Sequence, residues 1–246
     1  MTAQHMVAPD PAVPSRRAAR RELVTQAYER LRRLIVTGEM APGTRIVEVD
    51  IAARLNMSRT PIRSALHILQ KEGYIQAAGK GRQSRLTITP LTQDDAFEVF
   101  TIVGDIEGLA ARWAAGLPAG PRGALVQELE RINDAMRQSA TRSPRDPAET
   151  LRLDCDFHRA YVEAAAGPRL LALHRAFKPQ ADRYVQLYYM TLGTEVLVST
   201  QEHEQIIRAI ADGDPIAARH AVQSNWENAA GRLNKSIARF GEQGRW

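Results

Sequence analysis

The sequence predicts a mainly α-helical chain: an N-terminal winged helix-turn-helix domain followed by a C-terminal all-α helical bundle. Three observations carry this. Apolar residues recur at three- and four-residue spacing through most of the 246 residues. Two short strand-like runs, 74–78 and 85–89, flank Gly79-Lys80-Gly81-Arg82. The charge is also divided. Residues 1–92 hold 15 Lys+Arg and 7 Asp+Glu, a balance of +8, whereas residues 93–246 hold 18 and 21, a balance of −3. A basic N-terminal third on a mildly acidic remainder suits two domains with two tasks, the basic one meeting a polyanion.

The elements follow in order. Residues 1–20 carry Pro9, Pro11 and Pro14 and then several arginines, which predicts a flexible tail. The arginines of that tail read either as phosphate contacts or as solvated charge. Leu23, Val24, Ala27, Leu31, Leu34 and Ile35 place a helix at 21–37, stopped by Gly38. A second helix spans 48–55, with Ile51, Ala52 and Leu55 inward. Ser58 is a suitable N-cap for a third helix at 59–72, with Ile62, Leu66 and Leu69 inward and Gly73 as its stop. The hairpin completes a winged domain at 21–90, and residues 91–246 form the second domain. Its first helix, 94–117, is expected to turn Phe97, Phe100, Ile106, Leu109 and Trp113 inward. Further helices are expected at 122–140, 147–166, 168–192, 194–212 and 215–240, separated by Pro- and Gly-containing breaks.

Composition limits the function classes. Hydrophobic residues make up 44%, enough for a core. The single cysteine, Cys155, excludes an intramolecular disulfide and an all-thiolate metal cluster. No apolar run approaches the roughly 20 residues of a membrane helix, and residues 1–20 lack the apolar stretch of a signal peptide. The expectation is a soluble, cytoplasmic protein with no membrane partner.

The third helix carries residues suited to reading DNA, although the same arginines also read as an ordinary solvated face. Arg59 and Arg63 are four residues apart and share a face, where their forked donors can reach guanine edges or phosphates. Ser58 and Thr60 add short donors for the backbone. Pro61 is tolerated because the first helical turn lacks internal N–H partners. Lys80, Arg82 and Arg85 provide a basic wing, with Gly79 and Gly81 permitting close approach.

These residues resemble a known family. Glu48-x-x-Ile51-Ala52-x-x-Leu55-Asn56-Met57-Ser58-Arg59-Thr60-Pro61-Ile62-Arg63-x-Ala65-Leu66-x-x-Leu69-x-x-Glu72-Gly73 is similar to the helix-turn-helix signature of GntR-type transcriptional regulators. Ser64 stands where that signature usually has Glu, and the wing is longer than usual. The resemblance implies double-stranded operator DNA as partner, with Ser58, Arg59, Thr60, Arg63, Gly81 and Arg82 as contacts.

In the second domain, Asp154 and His158 project from one helix face, and His203 and Asn225 lie on later helices. A carboxylate and an imidazole at i and i+4 can chelate a divalent ion, although the pair is also an ordinary structural one. Three segments resemble the FCD effector domain of the FadR branch: 98–111 with Ile106-Glu107-Gly108-Leu109, Asp154-x-Asp156-Phe157-His158, and Glu202-His203 through Gly213-Asp214. In many such domains one Asp and three His hold a metal at the floor of the effector pocket. Here the third His position falls on Asn225, a weaker and harder oxygen donor, so the implied divalent metal site is altered. His220, five residues earlier, is on another face.

The resemblance also implies a homodimer that binds a near-palindromic operator, acts as a repressor and responds to a small-molecule effector. An organic acid would suit a family arginine in the domain's first helix, but Val103 stands there. Arg175, Arg183, Tyr184 and Tyr188 are candidates to line the effector pocket; they also read as bundle core and rim. The alternatives are a metal-dependent enzyme using Asp154, His158 and His203, and a direct metal sensor. Glu202 and Glu204 flank His203 and are expected to point elsewhere, leaving no evident general base or nucleophile motif.

Overall fold

A computed structural model describes residues 16–78, 85–191 and 195–240. The wing tip with Lys80, Gly81 and Arg82 lies outside the described residues, as do residues 1–15.

The N-terminal part contains α1 (Arg16–Val36), α2 (Glu48–Leu55), α3 (Arg59–Lys71), β1 (Ile75–Ala78) and β2 (Arg85–Ile88). The helix α1 begins five residues earlier than expected and takes in part of the segment read as a tail. Pro14 is the last proline there, and Arg16–Arg21 with Ala18 and Ala19 are good helix formers. Between α2 and α3, Asn56 adopts a left-handed conformation (φ 50°, ψ 49°), closing the short turn. The strands pair antiparallel, with Ile75 opposite Ile88, and Arg45 bridges to Thr87 along the other edge. Leu31, Ile62, Leu66, Leu69, Tyr74 and Ile88 form the buried apolar cluster of this head.

The remainder is helical: α4 (Gln93–Ala115), α5 (Ala119–Thr141), α6 (Pro147–Ala165), α7 (Pro168–Thr191), α8 (Val196–Ala211) and α9 (Pro215–Phe240). Side-chain oxygens cap several starts. Thr92 accepts from the Asp95 amide, Asp146 from those of Ala148 and Glu149, and Asp214 from those of Ile216 and Ala217.

The spine of the bundle is α4 packed along α9. Small residues allow it: a Cβ on Gly104 would sit 3.1 Å from the Trp226 Cβ, and one on Gly108 3.2 Å from the Arg219 side chain. The expected inward face of α4 is corrected at two positions. Phe97 is 56% exposed and Trp113 45%. The buried stripe runs instead through Ala96, Val99, Phe100, Val103, Glu107, Ala110, Ala111 and Ala114, so its small residues set the helix phase and the two large aromatics fall beside it.

Head and bundle meet along α7. Arg32 of α1 pairs with Asp182 (3.3 Å) and donates to the Tyr74 hydroxyl (3.1 Å). Arg183 donates to the Thr89 carbonyl (2.5 Å). Gly73 (φ 78°) packs so closely that a Cβ there would lie 2.7 Å from the Gln180 side chain.

Candidate functional site

The first candidate site is the N-terminal turn of α3. Ser58 has the extended backbone of an N-cap (φ −71°, ψ 159°), but its side chain makes no capping hydrogen bond. Ser58, Arg59, Thr60 and Arg63 are all exposed, while Pro61, Ile62, Ala65 and Leu66 are buried behind them. The amphipathic pattern therefore holds the polar edge outward on a packed base.

Glu48, the first residue of α2, lies across this edge. It accepts from Arg63 Nη2 at 2.8 Å and from Nε at 3.1 Å, and its Oε2 is 3.7 Å from Arg59 Nη2. The hydrogen bond from Arg63, helped by the charges of Arg63 and Arg59, lowers the Glu48 pKa against the opposing effect of burial. Sequence reading placed Glu48 in the motif without a role. Contact between α2 and α3 is what brings it onto both arginines.

The second candidate site is inside the bundle. Asp154 and His158 from α6 and His203 from α8 offer ligand atoms that all lie within 4.8 Å of one another. His203 Nε2 is 3.5 Å from Asp154 Oδ1, and His158 Nε2 is 3.9 Å from it. Two donors about 2.1 Å from a tetrahedral ion would themselves be about 3.4 Å apart. The spacing thus fits a shared cation.

The surrounding hydrogen bonds orient the imidazoles. His158 Nδ1 lies 2.7 Å from Glu107 Oε2, so a proton on Nδ1 leaves the Nε2 lone pair facing inward. Asn133 donates through Nδ2 to the Thr200 carbonyl, which turns its Oδ1 toward His203 Nδ1 at 3.1 Å. His203 Nε2 is then a buried acceptor with no hydrogen-bond partner. An orphaned buried nitrogen facing a carboxylate is a ligand-binding arrangement. Burial first, then the charges of His158 and Arg232, hold His203 well below the ordinary imidazole pKa, in the neutral form that binds metal.

Asn225 lines the same cavity. Its Nδ2 donates to Glu202 Oε2 (2.9 Å), and Glu202 is also held by Arg232 at 2.7 and 2.8 Å. That leaves the Asn225 amide oxygen as its available donor atom. Glu202 is not part of the Asp154–His158–His203 group; its carboxylate is taken up by Asn225, Asn228 and Arg232.

The residue that sequence reading missed is Glu107. It is fully buried on α4 and is contacted by His158, His174 (2.9 Å), Tyr161 (3.0 Å) and the Trp226 indole (2.9 Å). Burial pushes its carboxyl upward, but His158, His174 and Lys178 outweigh that and hold it well below the ordinary range. The clue was a glutamate on the apolar stripe of α4. For Asp154 burial dominates and raises the pKa, opposed by His158 and the Tyr189 hydroxyl. Cys155, next to it, stays outside the cluster, and burial pushes its thiol up to about 12.

The cavity beside this cluster is lined by Phe100, Val185, Tyr188, Tyr189, Ser199 and Trp226 along with Asp154, His158 and Asn225. Its volume is about 20 Å³, room for one water or ion. Of the four residues expected to line an effector pocket, Tyr188 does. The other three are placed elsewhere: Arg175 is exposed, Arg183 reaches the Thr89 carbonyl, and the Tyr184 hydroxyl donates to Asp95 (2.5 Å) at the start of α4. Tyr184, four residues before Tyr188, stays in the bundle core edge-on to Phe100, whereas Arg183 on the neighbouring face of α7 is turned toward the head.

Comparison with known proteins agrees with both halves. Residues 23–82 match the family "Bacterial regulatory proteins, gntR family", and residues 98–228 match "FCD domain". The chain is 30% identical over 199 residues to an uncharacterized HTH-type transcriptional regulator in an unstable DNA locus of Streptomyces ambofaciens, covering 80% of this chain and 79% of that one. It is 25% identical over 239 residues to the HTH-type transcriptional repressor NanR of Klebsiella aerogenes, covering 86% and 85%. The fold is similar to that of E. coli McbR/YncC, with a TM-score of 0.67 at 18% identity over 87% of this chain and 97% of that one. It is also similar to a putative GntR regulator from Rhodococcus sp. RHA1, with a TM-score of 0.63 at 20% identity over 87% and 99%. These families comprise DNA-binding transcription regulators and not enzymes, which sets aside the metal-dependent enzyme. The chain belongs to the GntR family of bacterial transcriptional regulators and carries an FCD domain.

Proposed function

We propose that the chain is a homodimeric repressor that binds a near-palindromic operator through residues 21–90 and is retuned by a ligand in residues 91–246. The observation that carries this is the exposed edge of α3. Arg59 and Arg63 keep 60% and 66% of their side-chain surface free while their helix is anchored by buried Pro61, Ile62 and Leu66. A helix entering the major groove by its N-terminal turn presents this edge to the bases. A twofold protein matches a twofold operator. Relatives named as repressors, NanR of Klebsiella aerogenes and a probable D-xylose utilization operon repressor of Paenarthrobacter nicotinovorans, support that sign of regulation.

The test is selection of bound fragments from genomic DNA, followed by anisotropy titration of the selected site. A twofold-symmetric site that loses affinity with both Arg59→Ala and Arg63→Ala is expected. Unchanged affinity in both variants would sink the assignment.

In the bundle, Asp154, His158 and His203, with the Asn225 oxygen, would hold a divalent cation. Bound there, the cation would supply a fixed positive charge able to attract an anionic ligand group. The amide in place of a third imidazole favours ions that accept oxygen donors. A direct metal sensor is a second reading, favoured by one observation: the cavity admits an ion and no larger ligand without rearrangement. Titrating metal into chelator-treated protein while following operator binding separates the two.

A further inference from the structure

The seam between head and bundle contains a larger cleft. Its volume is about 220 Å³, and it is lined by Ile35 and Val36 at the end of α1, by Leu91 of the linker, and by Arg183, Leu187 and Met190 of α7. The remaining walls are mostly apolar, with Thr37 and Gln186 as polar side chains and Arg183 as the charged one.

Arg183 is 6% exposed. It donates to the Thr89 carbonyl and lies 5.8 Å from the Tyr74 ring centre. No carboxylate among the described residues comes within ion-pairing distance of it. Asp95, the carboxylate whose charge it senses, accepts from the Tyr184 hydroxyl. Other cations of this seam are paired: Arg32 at 3.3 Å and Lys178 at 3.0 Å share Asp182. A buried guanidinium without a counter-ion carries a desolvation cost that an incoming anion offsets.

We propose that this cleft binds a small amphipathic monoanion, a carboxylate whose head pairs with Arg183 and whose aliphatic or aromatic body packs on Leu91, Leu187 and Met190. Orientation follows from electrostatics. The end of α1 is a helix C-terminus, which disfavours an anion, so the apolar body lies toward Ile35 and Val36 and the carboxylate at Arg183. The cleft accommodates a ligand that the 20 Å³ cavity beside Asp154 does not. Because head and bundle both supply walls, occupancy depends on their relative placement, and DNA binding and ligand binding must influence each other reciprocally. That consequence rests on the regulator reading; the binding itself does not.

The probe is octanoate, titrated calorimetrically into the full chain, with octanol as its neutral analogue. One octanoate per chain is expected, with octanol and Arg183→Met each weakening binding by about tenfold or more. Met190→Glu, at a position 60% exposed and therefore neutral to folding, is expected to weaken it similarly by repulsion at the mouth. His203→Ala is expected to leave it unchanged. Absence of saturable octanoate binding overturns the proposal. So does affinity unchanged from the parent chain in both Arg183→Met and Met190→Glu, or loss in His203→Ala with retention in Arg183→Met, which moves the ligand into the bundle. A flat isotherm beside intact operator binding removes the cleft alone. An Arg183-dependent isotherm in protein that binds no operator supports the cleft and removes the regulator reading.

Discussion

The edge of α3 and the cluster inside the bundle solve opposite problems with charged side chains. On α3, Arg59 and Arg63 remain exposed, and Glu48 is their ion-pair partner among the described residues. Exposed charges cost the fold little and can be spent on a partner. In the bundle, Asp154, His158 and His203 are 7%, 3% and 0% exposed. Buried polar groups must be satisfied from within, so Glu107, Asn133 and Tyr189 are committed to orienting them. One region can lose a charge and stay folded; the other ties its chemistry to its stability.

The largest expected effect tests that coupling. Glu107→Ala strips the acceptor from His158, His174, Tyr161 and Trp226, and should destabilise the bundle by about 3–5 kcal/mol, read by denaturant unfolding. A change below about 1 kcal/mol would mean the network is not a structural support. Next, Arg63→Ala should cost about tenfold or more in operator affinity, with the melting temperature unchanged. Equal loss of stability and affinity would break the contrast between the regions.

Asn225→His should restore a third imidazole and tighten Zn²⁺ over the parent chain, measured by competition with a chromophoric chelator. Unchanged Zn²⁺ affinity would show that position 225 does not face the ion. The smallest expected effect concerns Glu48→Gln. Freeing both arginines from a carboxylate should raise affinity for unrelated DNA a few-fold and steepen its salt dependence. If non-specific binding falls, Glu48 instead holds the arginines in the DNA-reading geometry.

Much of the head was legible locally. The bounds of α2 were read at 48–55, and the strand pair lies within a residue of its expected ends, because caps, glycines and apolar spacing act over a few neighbours. The start of α1 was hidden by the prolines before it. The phase of α4 was misread at Phe97 and Trp113, since size suggested burial where close packing against α9 demanded Gly104, Gly108 and alanines. Of the second site, Asp154, His158, His203 and Asn225 were legible as residue types. The roles of Glu107 and Asn133 were not, because their partners lie 51 and 70 residues away in the chain.

By itself the sequence determined the helical class, the winged head with its basic third helix, and the absence of a third imidazole at position 225. Those follow from periodicity, charge and residue identity, which act locally or need no geometry. The tertiary structure alone decided that Glu48 bridges both arginines, that Glu107 anchors the buried cluster, and that Arg183 faces the seam and not the bundle. Each depends on which side of a helix meets which neighbour, and helix-to-helix packing sets that rotation through side-chain volumes distant in sequence.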